Sequence, residues 1–264
     1  MSIDAPARPH RPSNARPTGT AIDCADCPLR PLDAFQACTD AELSVIEGIK
    51  QAELRYETGA ILIAEGADDP PLFTLREGWA FRFKTLPDGR RQILSILLPG
   101  DFIGLQQKMS DAAAHGVQTL TPVLVCRFRR DAVWRLHQEL PSLGYDVTWL
   151  AAHENALLDE NLLSLGQRTA LERLAALLLL LHARAAPHDP LADTEGLLFP
   201  LTQRHLSDAL GLSLVHTHRT LRSLRDRGLY ALQGDGRLAL PDPPGLARIA
   251  KLRWPLVVGR RPLI

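Results

Sequence analysis

The sequence predicts an α+β fold in three parts. A small antiparallel β barrel or jelly roll comes first, then one long helix, then a C-terminal unit of two short helices with a hairpin behind them. Three observations lead there. Between residues 59 and 104, glycines recur about every four to twelve residues among brief apolar runs, the rhythm of short strands joined by tight turns. From residue 141 the apolar spacing changes to three, four and seven, which is helical. From residue 196, two helix-length segments each carry a capping residue in front and a glycine behind.

Each element has its own signal. The first 22 residues carry a run of prolines and arginines with few large apolar side chains, which predicts a disordered, solvated leader. With no apolar h-region, this stretch does not read as a secretory signal, and the cytoplasm is the default location. "TDAELSVIEGIKQ" reads as a short helix with Thr39 as N-cap. "GAILIAEGADDPPLFTLREGWAFRFKTLPDGRRQILSILLPGDFIGL" reads as successive strands, with Asp88-Gly89 as a hairpin turn. "TPVLVCRF" adds a late strand carrying Cys126. "RRDAVWRLHQEL" is a short helix. In the long helix "PSLGYDVTWLAAHENALLDENLLSLGQ", Leu143, Val147, Leu150, Leu157, Leu158, Leu162 and Leu165 form one apolar stripe. Such a stripe packs on its own chain or on a second copy. "RTALERLAALLLLLHARAA" is apolar nearly all round, so a buried helix is expected. "PHDPLADTEG" is the loop at which the C-terminal unit begins.

Composition is that of an ordinary globular chain, 45% hydrophobic and 23% charged over 264 residues. The apolar run from Leu177 to Leu181 is far short of the ~20 residues that cross a bilayer. The formal net charge is zero, but it is unevenly placed. Residues 196–264 hold eleven Lys and Arg against four Asp and Glu, about +7, and the remainder is about −7. A basic segment on an acidic body points to a polyanionic partner for that segment.

"FPLTQRHLSDALGLSLVHTHRTLRSLRDRGLYALQGDGRLALPD" carries the chemistry. Thr202 caps a helix from Gln203 to Leu210, which Gly211 closes. Ser213 caps a second helix running to about Arg227, which Gly228 closes. Two short helices with a glycine turn make a helix-turn-helix, whose second helix enters the DNA major groove. Leu214, Leu221 and Leu224 are expected to face inward. Val215, His216, His218, Arg219, Arg222 and Arg225 are left outward. Arg219, in the N-terminal half, suits the two acceptors of guanine. Arg222 and Arg225 suit phosphates. His216 and His218 are two apart and do not share a helix face, so they read as groove or phosphate neighbours rather than a metal pair. Gly234-Asp235-Gly236 makes the turn of a β-wing. The candidate DNA-contacting set is Thr202, Gln203, Ser213, Val215, His216, His218, Arg219, Arg222 and Arg225.

The spaced glycines ending in "LLPGDFIGL", followed by this helix pair, resemble the Crp/Fnr superfamily of bacterial transcription regulators over residues 24–250. The resemblance implies a cyclic-nucleotide-binding-type β-roll, a dimerisation helix and a winged helix-turn-helix. It implies a homodimer on a palindromic site, with RNA polymerase as a further partner. The expected layout is a leader at 1–22, a sensory roll with its cysteine segment at 23–140, dimerisation and connecting helices at 141–186, a DNA-binding domain at 196–250 and a tail at 251–264. Members that bind cAMP carry Gly-Glu and then an arginine in the phosphate-binding segment. Here "GDFIGLQQKMSDAAAHGVQTL" has Asp101 for Glu and no arginine, so no cAMP binding is expected. The Fnr-type base-reading pattern is Glu, then Ser and Arg three and four residues on. Here those places hold Val215, His218 and Arg219, so only the guanine-type contact is shared.

The four cysteines are Cys24, Cys27, Cys38 and Cys126. A C-x-x-C pair alone leaves metal binding, thiol chemistry and plain packing open. Oxygen-sensing Fnr proteins hold a [4Fe–4S] cluster by an N-terminal cysteine group and one late-strand cysteine, and Cys24, Cys27 and Cys126 fall where three of those ligands would. The fourth would be expected near Asp33. Cys38, with ten residues between it and Cys27, and Asp33 are the two candidates for it. Zinc, a thiol switch, or no metal with an unknown small ligand as the signal are the other readings. A different class, a barrel that binds a ligand or catalyses without touching DNA, finds no nucleophile-elbow or H-E-x-x-H spacing in its support, so no enzyme is expected.

Overall fold

The structure is a computed structural model, and it describes residues 15–17, 22–105, 112–129 and 131–264. Most of the expected leader, and part of the segment on which cAMP binding was judged, lie outside the described residues.

The first part is a two-sheet roll. One sheet runs β1 (Arg16–Pro17), β2 (Lys50–Tyr56), β9 (Val123–Phe128), β4 (Leu72–Glu77) and β7 (Phe102–Ile103) in that order. The other runs β3 (Ile61–Ile63), β8 (Gly116–Thr119), β5 (Ala80–Thr85) and β6 (Arg91–Leu97). All the pairings are antiparallel. Alternate residues of the two sheets meet inside, where Leu54, Phe73, Leu75, Leu97, Val117 and Val125 are buried, as sheet periodicity requires. Asp88-Gly89 does turn the β5–β6 hairpin, with Gly89 at φ +84. Gly78, at φ +84 between β4 and β5, is fixed more tightly. A Cβ there would lie 2.3 Å from the Pro122 carbonyl oxygen, so only glycine fits.

Four helices connect the parts. α1 (Asp40–Ile49) has the expected Thr39 cap, in a reciprocal capping box with Glu42. α2 (Ala132–Glu139) follows the roll, and α3 (Pro141–Gln167) is the long helix, with proline in its first turn. The α3 stripe is split between two environments. Leu143, Val147 and Leu150 are buried with Ile46, Phe128 and Leu136. Leu162 and Leu163, two turns or more further on, are 71% and 50% exposed. α4 (Ala170–Ala185) has its own capping box, Thr169 with Glu172.

The C-terminal unit has β10 (Leu197–Leu198), α5 (Gln203–Leu210), α6 (Leu214–Asp226), β11 (Ala231–Leu232), β12 (Arg237–Ala239) and α7 (Pro243–Ala250). The three short strands form one sheet in the order β10-β12-β11, which is the wing. Buried leucines of α4 pack with Leu206, Leu210, Leu221, Leu224 and Leu246, and also with Phe81, Ile93 and Ile96 on the outer face of the roll. The C-terminal unit is therefore docked on the β5–β6 side of the roll, through a core that apolar burial holds together.

Candidate nucleic-acid interface and cysteine cavity

α5 and α6 are built by local rules. The Thr202 hydroxyl accepts from the His205 amide at 3.2 Å, and the Ser213 hydroxyl accepts from the His216 amide at 3.2 Å. Each such cap stabilises its helix by about 1 kcal/mol. Gly211, at φ +64, makes the turn between them. The inner face of α6 differs from the sequence expectation. Leu214 is 44% exposed, and the buried positions are Thr217, Thr220, Leu221 and Leu224. Leu214 is the first helical residue, before the helix has reached the core. Thr217 can replace it inside because its hydroxyl donates to the Ser213 carbonyl at 3.1 Å, and Thr220 does the same to His216 at 2.8 Å, so neither buries an unpaired polar atom.

The outer face is as expected. Thr202, Gln203, Ser213, Val215, His216, His218, Arg219, Arg222 and Arg225 are all exposed. Arg219 makes no ion pair among the described residues. Arg222 lies 3.8 Å from Asp226, and the Arg225 guanidinium sits 5.9 Å from the Tyr230 ring centre. A capped helix with three arginines on its open face offers a positive, solvent-facing ridge that a DNA groove accommodates.

The cysteines fall in two places. Cys24 and Cys27, beside a single 3-10 turn, and Cys126 on β9 line one cavity with Thr74, Leu29, Leu263 and Ile264. In the sheet, Cys126 lies opposite Glu53 on β2 and Thr74 on β4. Below it, buried Glu53 pairs with Lys50 at 3.2 Å and Arg76 at 2.7 Å. Burial pushes the Cys24 thiol up to about 12, with Glu47 adding to the shift and Lys50 opposing it. Burial likewise pushes Cys126 up to about 11 against the pull of Lys50. These thiols are held neutral, so they ligate or react only where a cation or an opening of the cavity favours the thiolate. Cys38 is elsewhere, beside Glu42 and Arg30, and burial raises it to about 11. The Asp33 side chain is 97% exposed and pairs with Arg260 at 2.7 Å. Neither fourth-ligand candidate lines the cavity, and among the described residues no group of three or more His, Cys, Asp or Glu stands close enough to hold a metal.

Comparison with known proteins agrees with this architecture. Residues 53–139 match the cyclic nucleotide-binding domain model, and residues 172–249 match the Crp-like helix-turn-helix domain model. The transcriptional activator protein FnrL of Cereibacter sphaeroides is 32% identical, over 83% of this chain and 88% of its own length. The chain belongs to the Crp/Fnr family. The nitrogen fixation regulation protein FixK of Bradyrhizobium diazoefficiens is 30% identical, over 86% of this chain and 93% of its own. The fold is shared with the solved structure of FixK2 from Bradyrhizobium japonicum, at 24% identity and a TM-score of 0.68, covering 76% of this chain and 97% of that one. The protein is thus a DNA-binding transcription regulator of the Crp/Fnr family and not an enzyme. Among the described residues no helix is long and apolar enough to cross a membrane.

Within this Crp/Fnr frame, three polar links escaped the sequence reading. Arg91 at the start of β6 donates twice to Asp208 of α5, at 3.0 and 2.8 Å, and Gln92 donates to the Ala209 carbonyl at 3.0 Å. Arg82, buried inside the roll, donates to Ser95 at 2.9 Å and pairs with Glu154 of α3. Asp101, which stands where cAMP-binding members carry Glu, pairs with Arg184 of α4 at 3.0 Å and with Arg261. Burial alone would raise the Asp101 carboxyl, but Arg261 and then Arg184 outweigh it and hold the carboxyl below its ordinary range. Only the last carried a signal in the sequence, the Glu-to-Asp departure at position 101.

Proposed function

We propose that the chain acts as a homodimer on a two-fold symmetric operator, and that its signal enters at the cavity of Cys24, Cys27 and Cys126. The observation that carries the DNA part is α6: its inner face is fully packed while His216, His218, Arg219 and Arg222 stand outside. Arg219 reads a base edge, in the N-terminal half where a recognition helix meets bases. Arg222, Arg225, Thr202 and Gln203 hold phosphates and set register. The dimer seam is the second half of α3, where Leu162 and Leu163 are 71% and 50% exposed. RNA polymerase is the further partner that this reading implies.

Cys24, Cys27 and Cys126 line the cavity, but among the described residues no three such donors stand close enough together to hold a metal, so the side chains as placed do not fit a [4Fe–4S] cluster, which takes four. Nor does a fourth donor fit: Cys38 lies outside the cavity, beside Glu42, and Asp33 is turned to Arg260. The residues' own part is clear without it. Lys50 and Arg76 place positive charge beside Cys126, which favours its thiolate once the cavity opens.

Selection from random duplex DNA tests the reading. The expected product is a two-fold symmetric site, bound with an affinity that falls steeply with salt. Salt-sensitive binding with no sequence preference among the selected fragments would contradict it.

A further inference from the structure

Beyond α7 the chain does something that reading DNA does not require. It leaves the helix at Lys251, in the left-handed region at φ +58, and returns to the cysteine segment. Arg260 pairs with Asp33. The Arg261 amide donates to the Ala34 carbonyl at 3.0 Å, and the Gln36 amide donates to the Arg261 carbonyl at 2.9 Å. The Arg261 side chain is buried. It pairs with Asp101, donates to the Pro99 carbonyl at 2.6 Å and lies 5.0 Å from the Phe35 ring centre. Leu263 packs on Leu29 and Phe35. Ile264, 4% exposed, packs with Phe128, and its carbonyl accepts from the Thr74 hydroxyl. Thr74 is the cross-strand partner of Cys126. Leu263 and Ile264 are therefore a wall of the three-cysteine cavity.

We propose that residues 260–264 are a strap that closes this cavity and ties it to the DNA-binding unit. Its inner end is held by the cysteine segment, by the roll at Thr74, Pro99 and Asp101, and through Asp101 by Arg184 of α4. Its outer end leads back through residues 251–259, most of them exposed, to α7, which packs on α4. A change that enlarges the cavity on the side walled by Leu263 and Ile264 displaces them, and with them Arg261. The strap is the two-position element by which the cysteines bias the DNA-binding unit. This rests on the reading of the cavity as the point where the signal enters.

The test compares the full chain with a variant lacking residues 260–264 and with Arg261→Gln, which keeps the tail and loosens it. Each is labelled with N-ethylmaleimide, and affinity for a selected operator fragment is measured before and after. Cys38, outside the cavity, is the internal reference. The expected result is labelling of Cys24, Cys27 and Cys126 that is about fivefold faster or more in both variants, with Cys38 unchanged. The operator response to labelling seen in the full chain is lost or reduced in both, at the scale of ordinary allosteric couplings. Equal labelling rates in all three proteins overturn the strap. So does an operator response of equal size in the full chain and in Arg261→Gln, which applies even if the deletion fails to fold. A full chain whose operator affinity ignores labelling overturns the cysteine reading itself, and the coupling falls with it.

Discussion

Arg219 and Arg222 sit three residues apart on the open side of α6, and under the proposed function they make different kinds of DNA contact, a base edge for Arg219 and a phosphate for Arg222. Arg219→Ala is expected to cost about 1–3 kcal/mol and to relax preference at one position of each half-site. Arg222→Ala is expected to weaken all sequences alike and to lower the salt slope by about 1. Binding isotherms on wild-type and singly substituted operators over a salt series distinguish the two. His188 is a second residue with a defined consequence. Its two ring nitrogens are buried without a partner among the described residues, and its ring packs at a tilt against Phe35 beside the strap, 5.6 Å between centres and 46° between planes. Burial, with Arg261 adding, lowers its pKa to about 4. An unfolded histidine titrates near ~6.5, so below that pH the unfolded chain binds a proton that the folded chain refuses. Its contribution to stability is present above about pH 6.5 and is lost as the pH falls toward 4. His188→Phe is therefore expected to flatten the fall of the thermal midpoint between neutral and mildly acid pH, and equal slopes in both proteins would contradict this. At this scale the caps Thr202 and Ser213 were legible because capping is a local hydrogen bond. Leu214 was misread because helical periodicity does not say which turn of a helix first reaches the core.

Among the elements, α3 carries the clearest consequence. Its first half is committed to its own chain and its second half leaves Leu162 and Leu163 open. Leu162→Glu is expected to leave the fold intact and to yield monomers in sedimentation. Operator binding should weaken roughly a hundredfold as the avidity of two half-sites is lost. A dimeric Leu162→Glu protein would place the seam elsewhere. Most elements were legible in the sequence. The β5–β6 hairpin announces itself by Asp88-Gly89, α1 by its Thr39 cap, and the wing by Gly234-Asp235-Gly236. The strap at 260–264 was not legible. It has no periodicity, and backbone bridges to Ala34 and Gln36 and the ion pairs of two arginines hold it. Such partners lie 160 residues away for Asp101 and 227 for Asp33 and leave no local trace.

Across the whole molecule, polar links add to the shared apolar core in joining the sensory roll to the DNA-binding unit. Arg91 grips Asp208 on α5. Asp101 grips Arg184 on α4. The segment after α7 ends in the strap at the cysteine cavity. The fold class and the order of parts were legible because burial and turn chemistry specify them. The docking of the parts was not, because single charge pairs across a boundary look like surface charge in a sequence. The arrangement nonetheless defines how a change at Cys126 could reach Arg219. The most direct measurement is the affinity of protein purified without air for a selected operator, before and after exposure to air, in wild type and in Cys126→Ser. The expected result is a shift of about tenfold in wild type, within the range of ordinary allosteric couplings, and none in Cys126→Ser. A wild-type affinity that is the same before and after exposure would contradict a signal entering at the cysteine cavity.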